Sequence, residues 1–306
     1  MDRAINIVEK ALAKHGSPIF VRHEVVHNRF VVDHLKAKGV VFIEDLNEVP
    51  QGAVLIYSAH GVSLSVQQEA QKRGFQIYDA TCPLVTKVHK EVQRLNEQGF
   101  QIVMIGHKGH PEVAGTMGQI ADKMLLVETA NDVANLSVKN PEKLAFVSQT
   151  TLSVDETADI VAALRQKFPQ IISPNKDDIC YATQNRQDAV KALADTCDLV
   201  IVVGSPNSSN SNRLRETAAK RGVLAVMIDN VSELDTALLS GKNHIGITAG
   251  ASAPEILVQE LVALLQSLDY VPLDSNHHQQ ENISFVLPKE CRLDTRRSSR
   301  IQCFCC

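Results

Sequence analysis

Two short segments place a cysteine where a helix begins: Ala80-Thr81-Cys82-Pro83-Leu84-Val85 and Asp178-Ile179-Cys180-Tyr181-Ala182-Thr183. After each, an apolar run leads into a small polar loop. These loops are Ile105-Gly106-His107-Lys108-Gly109-His110 and Val203-Gly204-Ser205-Pro206-Asn207-Ser208-Ser209-Asn210. Further on, a second apolar run leads into a second such loop, Val147-Ser148-Gln149-Thr150-Thr151 and Thr248-Ala249-Gly250-Ala251-Ser252. The spacings agree. His110 lies 28 residues after Cys82 and Ser209 lies 29 after Cys180; Thr150 lies 68 after Cys82 and Ser252 lies 72 after Cys180. Recurrence at a fixed offset marks a repeated structural unit. The stretch before Cys82 carries the same two loops, Arg22-His23-Glu24-Val25-Val26-His27 and Ser58-Ala59-His60-Gly61, so three copies are expected. Counting back 28 residues from His27 puts the first copy's cysteine at about position −1. The first copy is therefore expected to lack its first strand and cysteine loop.

Cysteines at repeated positions would converge on a pseudo-threefold axis. Three thiolates there suit an iron–sulfur cluster with one iron left open, whereas a structural zinc normally takes four protein ligands. The six loops hold His27, His60, His110, Thr150, Ser208, Ser209, Asn210 and Ser252, with almost no Lys or Arg. Such a set of neutral donors and ionisable imidazoles suits a buried diphosphate. Glu112, two residues after His110, is either a functional acid or a first-turn Glu favoured by the helix dipole. Taken singly, Ser208-Ser209-Asn210 reads as a helix cap. His15, His34, His89, His277 and His278 read as surface or satisfied histidines, and Cys197 as an inert residue among apolar neighbours. Recurrence at matching offsets is what separates the loop residues from these.

Loops of this kind work together only if strands present them together. Strand-like runs occur at Ile19–Val21, Val40–Ile43, Ala53–Tyr57, Phe75–Tyr78, Ile102–Ile105, Leu144–Val147, Leu199–Val203, Leu224–Ile228 and His244–Thr248. Helical periodicity covers Asp2–His15, Val85–Gln98, Val154–Phe168, Thr183–Ala194 and Pro254–Ser267. Alternation of β-branched strands with helices predicts an α/β fold of mainly parallel sheets covered on both faces. The carboxyl ends of such strands meet helix N-termini, where ligands and anions collect. The expected units are 1–81, 82–178 and 179–270, followed by a tail, 271–306. The 306 residues are 44% hydrophobic with a net charge of −4, which argues against an extended nucleic-acid-binding face. No apolar run approaches the ~18 residues of a membrane span. The start MDRAINIVEK has neither a secretory nor a transit character, so a cytosolic protein is expected. There, seven scattered cysteines serve ligation, catalysis or burial rather than disulfides.

Longer motifs support a resemblance. His-Glu-Val-Val-His-Asn-Arg at 23–29, Ser-Ala-His-Gly-Val-Ser at 58–63 and Asp-Ala-Thr-Cys-Pro-Leu-Val-Thr-Lys-Val-His at 79–89 resemble the LytB family. Gly-His-Pro-Glu-Val at 109–113, Gln-Thr-Thr-Leu-Ser at 149–153 and Asp-Asp-Ile-Cys-Tyr-Ala-Thr at 177–183 match it too. So do Gly-Ser-Pro-Asn-Ser-Ser-Asn-Ser-Asn-Arg-Leu at 204–214 and Thr-Ala-Gly-Ala-Ser-Ala-Pro at 248–254. The match runs in order from Asp2 to about Leu293. The resemblance implies a reductase of 4-hydroxy-3-methylbut-2-enyl diphosphate, the last step of the methylerythritol phosphate route to isoprenoids. It implies a [4Fe–4S] cluster at the centre of a three-unit α/β fold, with Cys82 and Cys180 as ligands. His27, His60, Ser208, Ser209, Asn210 and Ser252 would grip the diphosphate. His110 would sit beside Glu112, Thr150 would complete the proton-delivery network, and Glu112 would deliver the proton. A flavodoxin or ferredoxin is the implied electron donor.

The family pattern opens with a strand and a Gly-Phe-Cys-Ala-Gly-Val-type loop carrying the first ligand, and the match here begins after it. That agrees with the repeat arithmetic and leads to an expectation of weak cluster binding and little activity. A start placed too late and a degraded gene copy are the two readings, the first slightly favoured. The end, Thr295 to Cys306, does not resemble the family. Its Cys303-Phe304-Cys305-Cys306 fits a C-a-a-X box formally, but a frameshifted tail is the simpler reading. Two other classes compete: a pseudoenzyme that only binds diphosphate, and a zinc hydrolase on His27, His60 and His110 with Glu112 as base.

Overall fold

In the computed structural model the described residues are 1–174, 177–273, 285–288 and 291. Among them, ten short strands form three sheets in which every pairing is parallel. The first contains β1 (Ile19–Arg22), β2 (Val40–Ile43), β3 (Val54–Tyr57) and β4 (Gln76–Asp79), in the order β2-β1-β3-β4. The second contains β5 (Gln101–Ile105), β6 (Leu125–Val127) and β7 (Leu144–Ser148), in the order β6-β5-β7. The third contains β8 (Leu199–Val203), β9 (Leu224–Ile228) and β10 (Ile245–Ala249), in the order β9-β8-β10. Each sheet thus repeats one topology, with its first strand in the middle.

The period-two alternation of these apolar strands explains why both faces are covered. Val103 and Ile105 enter one core while Ile102 and Met104 enter another. Leu199, Ile201 and Val203 likewise part from Val200 and Val202. Each large aliphatic side chain so buried stabilises the fold by about 1.5–3 kcal/mol. The helices covering the first sheet are α1 (Asp2–His15), α2 (Arg29–Ala37) and α3 (Leu64–Lys72). On the second lie α4 (Pro83–Glu97), α5 (Pro111–Met117), α6 (Ala130–Ala134) and α7 (Val154–Lys167). On the third lie α8 (Tyr181–Ala194), α9 (Ser209–Lys220) and α10 (Glu255–Ser267). Ala4, Ile7, Val8 and Ala11 make the buried stripe of α1, and Gly16 ends that helix with a φ of 75° that favours glycine.

The α/β class and the expected elements are present, with ends moved by one or two residues. The three-residue β6 escapes the sequence reading because it is too short to display a period. β4 runs directly toward Cys82 yet pairs with β3, and Ile172, ahead of Cys180, bridges Ala145 of β7. The segment before Cys82 thus extends the preceding sheet as a strand, and the one before Cys180 touches it through a single bridge. Among the described residues the first sheet has four strands and the other two have three each. Cys291 is buried in the first sheet's core, with Leu287 packed against it. His277, His278, Cys303, Cys305 and Cys306 lie outside the described residues. Among the described residues, no helix is long and apolar enough to cross a membrane.

Candidate active site

The loops after β1, β3, β5, β7, β8 and β10 all open at the carboxyl ends of their strands, and a helix follows each. They meet on a cavity of about 380 Å³. All eleven residues singled out above line it: Cys82, Cys180, His27, His60, His110, Glu112, Thr150, Ser208, Ser209, Asn210 and Ser252. A smaller cleft of about 220 Å³ beside Arg213 and Lys220 is less suited to an anion. Its cations are already paired: Arg213 and Lys220 with Glu156, Lys191 with Asp155, and Arg221 with Asp195.

Glu112 is buried in the first turn of α5. Its Oε1 accepts the Thr150 N–H at 2.6 Å and its Oε2 accepts the Thr150 hydroxyl at 3.0 Å. Burial pushes the carboxyl up to about 7, outweighing those two hydrogen bonds, which favour the charged form. His110 caps α5, its Nδ1 accepting the Glu112 N–H at 3.1 Å. In the neutral ring Nε2 then carries the hydrogen.

Asn210 is buried, and neither end of its amide finds a partner among the described residues. Leaving such a group unsatisfied costs about 1–3 kcal/mol, so an unpartnered amide facing a cavity points to a ligand. Two residues earlier, Ser208 caps α9, accepting the Ser211 N–H at 3.3 Å and the Ser211 hydroxyl at 3.0 Å. The capping reading of this motif holds at Ser208, while the Asn210 amide is left open. Gly204 and Gly250 make room for the Ser211 side chain, against which a Cβ at either position would collide. Ser209 donates to the Thr151 carbonyl at 3.1 Å and Ser252 to the His27 carbonyl at 2.9 Å, tying the third sheet's loops to the other two.

His27 and His60 stack with ring centroids 4.1 Å apart, and His110 stands edge-on to them at 5.4 and 5.7 Å. Burial, reinforced by neighbouring histidines, lowers His27 to about 4 and His110 to about 3, and holds His60 well below its ordinary value. The three rings are thus neutral near pH 7. A zinc site on His27, His60 and His110 is not what converges here. The ring nitrogens that come within 4.8 Å of one another belong to His23, His27 and His60, while Thr150 engages both oxygens of Glu112.

Cys82 and Cys180 are the N-cap residues of α4 and α8, with nearly identical backbones (φ −58°, ψ 132° and φ −62°, ψ 132°). Neither side chain caps its helix, although N-caps are ordinarily Ser, Thr, Asp or Asn. The equivalent N-cap of α1 is Met1, which lines the same cavity. Burial pushes the Cys180 thiol up.

Several participants escape the sequence reading. Gln149 is fully buried; it accepts the His107 N–H at 3.1 Å and donates to Thr151 and Ser209 at 2.9 and 3.3 Å. Its place beside Thr150 in a repeated loop was the available signal. Asp178 accepts the Ser148 N–H at 3.0 Å and pairs with Lys87 at 3.2 Å, fixing the loop before Cys180. The loops are poor in cations, but α1 and α8 bring Arg3 and Arg186 to the cavity wall. His15 is satisfied by the Tyr78 hydroxyl at 2.7 Å, as expected. His89 is neither exposed nor satisfied: it is buried beneath Gly61, its Nε2 has no partner among the described residues, and burial lowers it to about 4.

Known proteins resemble this chain in sequence and in fold. The family model described as LytB protein matches residues 1–266. The chain is 66% identical over 293 residues to the 4-hydroxy-3-methylbut-2-enyl diphosphate reductase of Neisseria meningitidis serogroup B, covering 95% of this chain and 91% of that protein. It is 62% identical over 290 residues to the Azoarcus reductase of the same name, covering 95% and 93%. The solved E-1-hydroxy-2-methyl-but-2-enyl-4-diphosphate reductase of Plasmodium falciparum superimposes with a TM-score of 0.88 at 42% identity, covering 95% of this chain and 92% of that one. By sequence and by fold, the chain belongs to the LytB protein family.

Proposed function

We propose that the chain reduces (E)-4-hydroxy-3-methylbut-2-enyl diphosphate to isopentenyl and dimethylallyl diphosphates at an iron–sulfur cluster. The relatives above are named for this substrate, and LytB proteins bind a [4Fe–4S] cluster. The supporting observation is a single cavity that joins a buried acid, Glu112, an open amide, Asn210, and two matched cysteines.

Cys82 and Cys180 suit the cluster, being soft donors at cap positions whose thiols do not cap. A bound cluster supplies electrons singly and Lewis acidity toward the substrate hydroxyl. The chain's own residues do the rest. His27 and His60, from two loops of the unit 1–81, and Ser208, Ser209, Asn210 and Ser252, from two loops of the unit 179–270, surround the diphosphate and orient its allylic end. Two electrons and two protons enter. The allylic C–O bond breaks, the hydroxyl leaves as water with one proton, and the allyl fragment takes the other at either of two carbons, giving two isomers. Glu112, held by Thr150 beside His110, delivers a proton from a water-poor pocket. A small flavodoxin or ferredoxin is the electron-donor class.

The test is anaerobic reconstitution with iron and sulfide, then conversion of the substrate with a reduced low-potential donor. Iron and sulfide per chain are expected to fall in Cys82→Ser and in Cys180→Ser, and conversion to fall with them. A cluster-loaded chain that leaves the substrate intact would overturn the activity. Iron content indifferent to both substitutions would overturn the ligand assignment.

A further inference from the structure

A chain of hydrogen bonds leads from the buried histidines to the surface and has no part in the scheme above. His23 Nδ1 lies 2.6 Å from Glu44 Oε1, and His23 Nε2 lies 3.0 Å from His27 Nε2. The ionised carboxylate only accepts, so Nδ1 of His23 carries a hydrogen. A neutral His23 must then accept at Nε2, which leaves His27 with its hydrogen on Nε2 and a bare Nδ1. A protonated His23 donates at Nε2 instead, and the neutral His27 carries its hydrogen on Nδ1. The charge on His23 therefore decides whether the far nitrogen of His27 accepts or donates. Ionised phosphate oxygens only accept, so such an anion in the cavity selects the second state.

His23 is built into this position. Its φ is 61°, the left-handed region, and its N–H donates to the Ile43 carbonyl at 2.8 Å at the end of the β1–β2 ladder. Such a backbone in a residue other than glycine persists where its surroundings fix it. The charged and titratable groups around it are Glu44 and Arg22 toward solvent, His27 and His60 at 5.2 and 5.7 Å between ring centroids, and His110 beyond them. Arg22 holds the second oxygen of Glu44 at 2.5 Å, which keeps the first aimed at His23.

We infer that His23 is a positioning residue: clamped by Glu44, it takes up a proton as the diphosphate arrives and sets His27 as a hydrogen-bond donor. This rests on the reading of the cavity as a diphosphate site. The experiment is titration calorimetry of the full chain with inorganic pyrophosphate, in buffers of different ionisation enthalpy and across neutral to basic pH. The unsubstituted chain is expected to gain a proton on binding and to lose affinity by about tenfold per pH unit on the basic side. His23→Asn tolerates the left-handed backbone. It is expected to bind about tenfold more weakly and to lose that proton uptake. Glu44→Gln, at an exposed position, is expected to lose part of both. In turnover the two variants should raise KM while kcat stays within about twofold, a split that a damaged fold would not give. Unchanged affinity and proton uptake in His23→Asn would overturn the inference. Should that variant not fold, an unchanged pH dependence in Glu44→Gln would overturn it. Failure of the unsubstituted chain to bind pyrophosphate would instead overturn the diphosphate reading itself.

Discussion

At Glu112, burial and hydrogen bonding pull in opposite directions, and burial prevails. With its carboxyl near 7, the acid is about half protonated at neutral pH, as a general acid requires. Glu112→Gln keeps the shape and the Thr150 N–H partner but has no acidic proton. Its kcat should fall by about 10²–10⁴-fold while pyrophosphate affinity holds. In the parent chain, kcat should decline as pH rises through about 7, and steady-state profiles of Glu112→Gln should lack that inflection. Asn210 makes the complementary case. Its unpartnered amide burdens the empty fold, so Asn210→Ala should melt at an equal or higher temperature. The same variant should bind pyrophosphate at least about tenfold more weakly, in paired melting and calorimetry experiments.

Elements matter here through what they let approach. The glycines after β8 and β10 admit the Ser211 side chain, which in turn holds Ser208. Gly250→Ala forces Ser211 aside. Chemical denaturation should show a loss of about 1–3 kcal/mol, accompanied by weaker pyrophosphate binding. Gly61 does the same for His89: a Cβ there would come 2.7 Å from its Cε1. The loop bearing His60 is thus seated on a buried ring. The N-caps are a further device. Cys82 and Cys180 take the position where Ser or Asp would satisfy the helix, giving up a capping bond of ~1 kcal/mol to leave the thiol available.

For the whole molecule, buried histidines dominate the response to acid. His27 and His89 are lowered to about 4 and His110 to about 3, against 6.5 when unfolded. The unfolded chain therefore binds protons that the folded chain refuses. The stability these rings contribute is full above pH 6.5 and is lost as pH falls toward 4. Glu112 acts oppositely: its preference for the folded state is full below 4.5 and is lost as pH rises from 4.5 to about 7. Three rings outweigh one carboxyl, so unfolding midpoints should drop on acidification between pH 6.5 and 4. Saturating pyrophosphate should resist the drop, by about 2.7 kcal/mol at a hundredfold excess over Kd. Loss of the protection would show that the anion does not sit among these rings.

The amino-acid sequence alone carried the repeat, the parallel α/β class, the cysteine caps and the loop residues that line the cavity. These depend on local periodicity, turn chemistry and offsets along the chain. Other properties came only with the tertiary structure. One is that β4, the strand before Cys82, joins the preceding sheet, since strand pairing is a long-range choice. Another is that Glu112 is buried and Asn210 left open, because burial is set by all three sheets packing together. The approach of His23 to His27, and of Arg3 and Arg186 to the cavity, belongs here too. Such contacts depend on where a side chain points once the backbone has closed around a shared centre, and no spacing along the chain encodes that direction.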